Sequence, residues 1–286
     1  MLGETALEAE LLTTALRAHP DDAALRLHAA LSQVPDDLDA ARAALAPLAA
    51  DAVAGEFAEA IDAVRTGRLP PAGPAETDTD TEQAQRRAAR HDSLRWAMAH
   101  ATSPSAHVGL PSRVLLRALE QAPADGLTLE CGVYFGRSLR LIAAGTNGPV
   151  HGFDSFDGLP EAWSERESAG AYSTGGRLPR VAANVTLHRG WFEDTLPPFF
   201  GEHAGPIRLL HVDCDLYSST RTVLAHADAR LVPGSIVVFD DLLGYPGYAA
   251  HELRAFEEFA ASRRVRWSLV AACLLGREVA VRIEGR

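Results

Sequence analysis

The segment that decides the fold is LLHVDCDLYSSTRTVLAHADARLVPGSIVVFDD, residues 209–241. It contains two short apolar runs, each typical of a buried strand, with a helical stretch between them. A strand, a crossover helix and a second strand form a parallel βαβ unit. Asp213 and Asp215 follow the first run, and Asp240 and Asp241 follow the second. The carboxyl ends of parallel strands meet at one edge of a sheet, so four carboxylates are expected there.

The same alternation of strand-like and helical runs begins at residue 127. The other strand-like runs are LTLECG, PVHGFD, VTLHRG, WSLVAACL and VAVRIE. Strands separated by helices predict a doubly wound α/β sheet. Only LGRE, residues 275–278, separates the last two runs. That connection is too short for a crossover helix, so it predicts a terminal antiparallel hairpin.

The N-terminal part has a different pattern. Residues 1–68 are rich in Ala, Leu, Asp and Glu at helical spacing, which predicts a domain of three or four short helices, weakly similar to tetratricopeptide-type units. The stretch RLPPAGPAETDTDTEQ, residues 68–83, has the composition of a linker. We therefore divide the chain into a helical domain (1–68), a linker with a lid helix near 83–100 (69–110) and an α/β domain (111–286).

Composition limits the function. The net charge is −11, and all 27 basic residues other than histidine are arginine. The acidity disfavours a nucleic-acid partner, and the absence of lysine excludes Schiff-base chemistry and a Walker P-loop. No run approaches the length of a membrane span, and MLGETALEAE does not resemble a signal peptide, so a cytoplasmic protein with buried, reduced cysteines is expected.

Three predicted strand ends carry residues suited to a nucleoside-bearing cofactor. ECGVYFGRS, residues 130–138, is a glycine-containing turn that departs from the dinucleotide pattern G-x-G-x-x-G. Asp154 ends the next strand, where a carboxylate can accept from both hydroxyls of a ribose. Trp191 and Phe192 follow the third strand and can wall a purine ring. Each residue has a plainer alternative as a turn, a cap or a core residue, but their joint occurrence favours the cofactor.

The acids after the two deciding strands raise a charge problem. Because side chains alternate faces along a strand, we expect Asp213 and Asp215 to face the same side of the sheet, toward the crevice, and Cys214 to face the opposite side, with Asp240 and Asp241 at the end of the adjacent strand. Carboxylates this close must share a proton or bind a cation. An all-oxygen site suits Mg²⁺. The alternative is helix capping, with Asp240 and Asp241 at the next helix and Asp215 at the helix that begins near residue 218.

The order LECGVYFGRS, GFDSFDGLP, GWFEDTLP, HVDCDLYSST, LVPGSIVVFDDLLGYPG resembles the class I S-adenosylmethionine-dependent O-methyltransferases of the macrocin type. The resemblance covers about residues 111–283 and implies a seven-stranded, Rossmann-like sheet with an antiparallel last strand. It also implies S-adenosylmethionine as the cofactor. The cofactor residues that it implies are Glu130, Gly132, Tyr134, Gly136, Ser138, Asp154, Ser155, Gly190, Trp191, Phe192 and Asp213.

The resemblance further implies a divalent ion, taken as Mg²⁺, on Asp213, Asp240 and Asp241. Asp215 is then a supporting residue. Related catechol enzymes use a lysine as the base, which this chain lacks. The base is therefore left open between Asp213, Asp215 and His251, with the further alternative that a metal-bound hydroxyl needs no dedicated base.

The long connection at residues 159–184 predicts a lid or binding loop, although part of it can instead form the helix before the third strand. We expect Trp163, Tyr172, Arg177 and Tyr217 to contact the acceptor. The leading hypothesis is Mg²⁺-dependent methylation of a hydroxyl on a secondary metabolite or its sugar, by a dimer or larger homo-oligomer. The alternatives are a carboxylate or peptide methyltransferase of the same fold and a non-catalytic, cofactor-sensing helical adaptor.

Overall fold

The computed structural model describes residues 2–69 and 81–286, with side chains from residue 10 onward. Of the linker predicted at 68–83, residues 70–80 lie outside the described residues. The described chain forms two compact units. The first comprises the residues up to Val114 with Gly244–Pro246 and Ala271–Arg277, and the second comprises Leu115–Leu243, Gly247–Val270 and Glu278–Arg286.

The first unit is built mainly from helices, which are α1 (Leu2–Ala18), α2 (Ala23–Ser32), α3 (Leu38–Ala44), α4 (Ala52–Thr66) and α5 (Glu82–His100). Aspartates begin three of them. The carboxylates of Asp22, Asp37 and Asp51 each accept the backbone N–H three residues further on, at 2.8–2.9 Å. Such caps satisfy N–H groups that have no partner inside the helix, which explains why acids recur in this otherwise alanine-rich region.

The core of the first unit joins residues that are far apart in the sequence. Leu45 and Ile61 are buried together with Leu94, and the same cluster contains Leu274 and Leu275. A short strand, β1 (His107–Val108), also belongs to this unit. The first unit is therefore completed by a segment from the C-terminal part of the chain.

The second unit holds most of the sheet and its helices, apart from residues 111–114 and 271–273 of the elements named below, which belong to the first unit. The strands are β2 (Leu127–Cys131), β3 (Val150–Asp154), β4 (Val185–Arg189), β5 (Ile207–Val212), β6 (Ile236–Phe239), β7 (Arg266–Cys273) and β8 (Val279–Gly285). The helices are α6 (Pro111–Gln121), α7 (Arg137–Ala144), α8 (Phe192–Glu202), α9 (Tyr217–Ala227) and α10 (Glu252–Arg263).

These strands follow the order β7-β8-β6-β5-β2-β3-β4. Strands β2 to β6 pair in parallel, and β8 runs antiparallel to β6. The predicted α/β sheet with antiparallel C-terminal strands is confirmed. The structure adds β1, which pairs in parallel with the end of β7 through His107 and Ala272. The sequence did not predict this strand, because two residues carry no periodicity.

The strand order places β2, β5 and β6 side by side. Their carboxyl ends carry the glycine turn and the two pairs of acids, so the predicted site residues collect at one edge. The connection between β3 and β4 contains turns and bends across residues 155–184 but no helix, so the helical alternative for that stretch is wrong. Among the residues that the structure describes, none of the helices has the length and apolar character that a membrane crossing requires.

Candidate active site

The turn after β2 is shaped by residues with left-handed backbone conformations. Gly132 has φ +92°, Gly136 has φ +71°, and Tyr134 between them has φ +50°. The Gly136 N–H donates to the Val133 carbonyl at 2.7 Å and closes the turn before α7. A Cβ on Gly132 would overlap the Asp213 carbonyl oxygen. Glycine is therefore required at 132 because the main chain after β2 touches the main chain after β5.

Asp154 fastens this turn to the next strand. Its Oδ2 accepts the N–H groups of Val133 at 2.7 Å and Tyr134 at 2.8 Å, and its Oδ1 accepts that of Phe156 at 2.6 Å. A carboxylate has about four acceptor positions, so three are already used. Oδ2 has none left, and the carboxylate can take one ribose hydroxyl, not the two that the sequence suggested.

The residue that follows β4, Gly190, contacts Asp154, the last residue of β3. The Gly190 N–H donates to the Asp154 carbonyl at 3.0 Å. Trp191 follows at the start of α8 with 36% of its surface exposed, and Phe192 is half-buried. The Ser155 hydroxyl is engaged within its own turn, where it accepts the Asp157 N–H at 3.1 Å. An exposed indole beside a fixed turn is available to stack on a flat ring.

A buried histidine, His211, lies between Glu130, which precedes the turn after β2, and Asp240. His211 on β5 pairs with Glu130 on β2, and its Nδ1 lies 3.1 Å from Glu130 Oε1. The approach falls short of a well-aligned hydrogen bond, so we treat the contact as an ion pair. His211 Nε2 lies 3.8 Å from Asp240 Oδ1. Burial alone would lower the pKa of His211, but Glu130 and Asp240 outweigh it and raise that pKa.

Burial also raises the pKa of Glu130, while His211 and the Ser138 hydroxyl oppose the rise. Glu130 is fully buried near the end of β2, and Ser138 is half-buried in the first turn of α7. Their assignment as cofactor residues stays a prediction.

Three acids form the carboxylate group at the ends of β5 and β6. One oxygen each of Asp213, Asp215 and Asp241 lies within 4.8 Å of the others. Asp240, which the family pattern implied as a ligand, is not in this group, and Asp215 takes its place. The strand-alternation argument was wrong, because β5 ends at Val212 and Asp215 has φ +59°. A turn, not a pleat, brings Asp215 beside Asp213.

The acids in this group repel one another. Asp213 retains some solvent contact, yet burial of its carboxylate and then the charges of Asp240 and Asp215 raise its pKa well above the usual range. Closely spaced carboxylate oxygens are the kind of donor set that a hard cation prefers.

Helix capping does not explain these acids. The helix after β5, α9, has Leu216 at its N-cap and no side-chain cap, so Asp215 does not cap it. The helix after β6, α10, has His251 at its N-cap, ten residues beyond Asp241. Neither pair of acids caps the helix that follows it, so the capping alternative is wrong.

The predicted acceptor residues divide into two sets. Trp163 and Tyr172 have ring centroids 6.4 Å apart, and Trp163 lies 6.4 Å from the ring of His251. Tyr172 also lies 6.0 Å from Tyr134 of the cofactor turn. A row of aromatic rings therefore connects the cofactor turn to the residue that precedes α10.

The other two residues do not join that row. Tyr217 donates its hydroxyl to Glu258 on α10 at 2.6 Å, and the Arg254 guanidinium lies 4.5 Å above its ring. Its hydroxyl is thus engaged between α9 and α10, and its assignment as an acceptor contact stays a prediction. Arg177 is exposed, and its carbonyl accepts the Thr174 hydroxyl at 2.8 Å.

Sequence reasoning missed two buried residues, His211 and Glu252. The signal for His211 is a titratable residue inside the apolar run IRLLHV. The signal for Glu252 is helical spacing, since it lies three, four and seven positions before Ala255, Phe256 and Phe259, all buried. A charged residue on an apolar stripe indicates a specific partner.

Sequence comparisons identify a domain at this site. A profile described as a methyltransferase domain matches residues 129–242. A curated 8-demethyl-8-(2,3-dimethoxy-alpha-L-rhamnosyl)-tetracenomycin-C 4'-O-methyltransferase from Streptomyces olivaceus is 32% identical over 43% of this chain and 56% of its own length. A mycinamicin III 3''-O-methyltransferase from Micromonospora griseorubida is 29% identical over 44% of this chain and 60% of its own length. The chain thus spans less than two thirds of either relative.

Solved structures with similar folds include a calicheamicin methyltransferase, 21% identical, covering 80% of this chain and 91% of that chain with a TM-score of 0.48. The O-methyltransferase NovP is also 21% identical and covers 82% of this chain and 100% of that chain, with a TM-score of 0.45. These scores are below 0.5, so the assignment rests on the sequence matches. Residues 129–242 of this chain thus match a methyltransferase domain, and the curated proteins to which the chain is similar are O-methyltransferases.

Proposed function

We propose that the chain is an S-adenosylmethionine-dependent O-methyltransferase that acts on a hydroxyl of a small molecule. The observation that carries the proposal is the contact at Gly132, where the turn after β2 abuts the main chain of Asp213. A methyl donor held by that turn would lie beside an acceptor held at the carboxylate group. Transfer between two bound molecules depends on this kind of proximity.

The cofactor would occupy the edge formed by the ends of β2, β3 and β4. The backbone from Gly132 to Gly136 would hold its methionine part, Asp154 one ribose hydroxyl, and Gly190, Trp191 and Phe192 the adenine. Glu130 and Ser138 would support this edge from beneath. The Asp154 carboxylate already accepts three backbone N–H groups, which supports a role in shaping the turn as much as in binding the ribose.

The acceptor would lie along the row of aromatic rings. The name of the first curated relative states a rhamnosyl-bearing acceptor that is methylated at a 4' oxygen. By analogy, we propose a hydroxyl of a sugar-bearing secondary metabolite. Trp163, Tyr172 and Tyr134 offer apolar ring faces against which the C–H face of a sugar can pack. Arg177 would remain at the outer rim.

The carboxylate group fits a divalent cation such as Mg²⁺. Asp213, Asp215 and Asp241 would hold it, because one oxygen of each lies within 4.8 Å of the others and the neighbouring carboxylates raise the pKa of Asp213. Asp240, the ligand implied by the family pattern, would support them from beside His211. When bound, such a cation supplies positive charge that favours ionisation of a nearby acceptor hydroxyl.

His251 is the proposed proton acceptor. Burial lowers its pKa, with the charge of Glu161 opposing the shift, so its imidazole is neutral near pH 7. Asp213 and Asp215 are less available, because their carboxylates would face the cation. The hydroxyl oxygen attacks the methyl carbon and the carbon–sulfur bond breaks. The hydroxyl proton passes to His251, and the products are the methyl ether and S-adenosylhomocysteine.

The first test is calorimetric titration of the full chain with S-adenosylhomocysteine, followed by methyl transfer from labelled cofactor to a panel of rhamnosylated acceptors. We expect binding, and transfer that EDTA abolishes. Asp241→Asn should reduce turnover at least ~100-fold, in line with the cost of losing a metal ligand or its support, and should leave S-adenosylhomocysteine affinity within about threefold. Asp125→Asn, an exposed acid before β2, is the matched control.

Each part of the proposal can fail separately. No binding of S-adenosylhomocysteine would refute the methyltransferase assignment. Binding without transfer to any acceptor would favour the cofactor-sensing adaptor. Transfer that is unaffected by EDTA and by Asp241→Asn would refute the cation. The homo-oligomer and the cytoplasmic location expected from the sequence stay predictions.

A further inference from the structure

Helix α10 carries an acid on its buried face. Glu252 is 0% exposed and lies on the same face as the buried residues Ala255, Phe256 and Phe259. An ionisable group in apolar surroundings is costly unless it has partners. The position therefore needs a reason beyond the packing of α10.

One oxygen of Glu252 has a clear partner. Its Oε2 accepts the backbone N–H of Asp241 at 3.2 Å. Its Oε1 is also buried and meets no hydrogen-bond donor within the described part of the chain. The acid thus makes one hydrogen bond, and that bond holds the main chain of a member of the carboxylate group.

The surroundings of Glu252 are acidic. Burial, followed by the charges of Asp241, Asp215 and Asp240, raises its pKa well above the usual range. Its oxygens are nevertheless not part of the group of three whose oxygens lie within 4.8 Å of one another. Glu252 is therefore an acidic neighbour of the carboxylate group and not one of its three members.

We propose that Glu252 is a positioning residue that fixes Asp241 for cation binding. The hydrogen bond holds the peptide nitrogen of Asp241, which is bonded to the Cα that carries the side chain. It therefore restricts the direction in which that carboxylate can point. The buried N–H would otherwise lose its acceptor. Groups that orient a metal ligand are worth 10–100-fold in metal affinity in other proteins. The inference rests on the cation of the proposed function, but its test does not depend on methyl transfer.

The test compares two conservative variants that separate geometry from charge. Glu252→Gln keeps an oxygen at the same reach and removes the charge, whereas Glu252→Asp keeps the charge and withdraws the oxygen by one methylene. Binding of Mn²⁺ to the full chain is measured by electron paramagnetic resonance at fixed pH. We expect Glu252→Gln to retain affinity within about threefold and Glu252→Asp to lose at least ~tenfold. Glu257→Gln, an exposed acid on the same helix, should match the wild type.

The reverse ranking, with Glu252→Asp tight and Glu252→Gln weak, would overturn the inference because charge rather than the hydrogen bond would then act. Equal affinities in both variants would overturn it as well. A Gln variant that fails to fold also counts against it, since the hydrogen bond should preserve the site; folding is scored by S-adenosylhomocysteine affinity. A wild type that binds the nucleoside but not Mn²⁺ would refute the cation and this inference together, leaving the methyltransferase assignment intact.

Discussion

At Gly132 two parts of the site meet through main-chain atoms alone. The residue has φ +92°, and any side chain there would overlap the Asp213 carbonyl oxygen. The turn that we assign to the cofactor and the first acid of the carboxylate group therefore cannot move apart or together without changing this contact. In the proposed function, this main-chain contact would set the spacing between the methyl donor and the methyl acceptor.

Gly132→Ala should therefore cost more than the loss of a flexible residue. We expect a decrease in the free energy of unfolding of about 3 kcal/mol or more, because a left-handed conformation and a main-chain overlap add, together with loss of S-adenosylhomocysteine binding. Urea unfolding and calorimetry measure the two effects.

Gly175→Ala is the control, since Gly175 has φ +66° but no atom within 4 Å of an added Cβ. It should cost about 1 kcal/mol, the conformational part alone. Equal costs in the two variants would show that the overlap at Gly132 relaxes without penalty.

The residues of the site were only partly predictable. Asp213, Asp215 and Asp241 stand out in the sequence because acids rarely follow buried strands. Their convergence at one edge of the sheet was predicted, but which three acids lie together was not, because that depends on the turn at Asp215, where φ is +59°. The partners of Asp154 were equally hidden, since hydrogen bonds between separate loops leave no pattern in either loop.

Among the elements, α8 packs against an unusual set of rings. His151 on β3 lies with its Nδ1 3.1 Å from Nε2 of His188 on β4. His203, just after α8, stacks on Phe199 at 4.2 Å and lies 5.0 Å from the ring of His151. Burial first, then the neighbouring histidines, lower the pKa of His151 to about 4, and burial and His203 also lower that of His188.

This packing should make the stability of the fold sensitive to acid. The pKa of His151 is lower in the fold than the usual 6.5, so its contribution is complete above about pH 6.5 and is lost as the pH falls toward 4. The shift corresponds to about 3 kcal/mol, and we expect about 2 kcal/mol because part of the imidazole contacts solvent.

Urea unfolding of the wild type and of His151→Gln between pH 7.5 and 4.5 tests this expectation. The variant should lose less stability on acidification, and His19→Gln, at an exposed turn, should follow the wild type. Parallel pH profiles for the wild type and His151→Gln would contradict the role given to His151.

The elements themselves were largely predictable, because strand and helix patterns are local. The helix predicted near residues 83–100 matches α5, and the runs from residue 127 onward match β2 to β8. What escaped prediction were relations without a local pattern. These are β1, which exists only by pairing with β7, and the absence of a helix in the long connection before β4.

On the scale of the whole molecule, the chain passes between its two units more than once. The first unit takes Gly244–Pro246 and Ala271–Arg277 from within the sequence of the second. Leu274 and Leu275 lie in the core of the first unit, at 2% and 7% exposure. The N-terminal helices are therefore not an independent attachment.

A fragment of residues 111–286 should for this reason fold poorly alone. Removing the helices exposes Leu274 and Leu275, and we expect association and dye binding that the full chain does not show. Light scattering and fluorescence of a hydrophobic dye make the comparison. Leu274→Ser with Leu275→Ser in the fragment should reduce the association. A monodisperse fragment with a cooperative melting transition would contradict this expectation.

The same chain path affects the order in which the protein can mature on the ribosome. Helices α1 to α5 are synthesised first, but their core lacks two leucines until residue 275 has left the exit tunnel. During most of translation these helices expose an apolar surface, while βαβ units of the later sequence can begin to pack. The first unit, whose helices are synthesised before the sheet, is therefore completed only after most of the second unit has been synthesised.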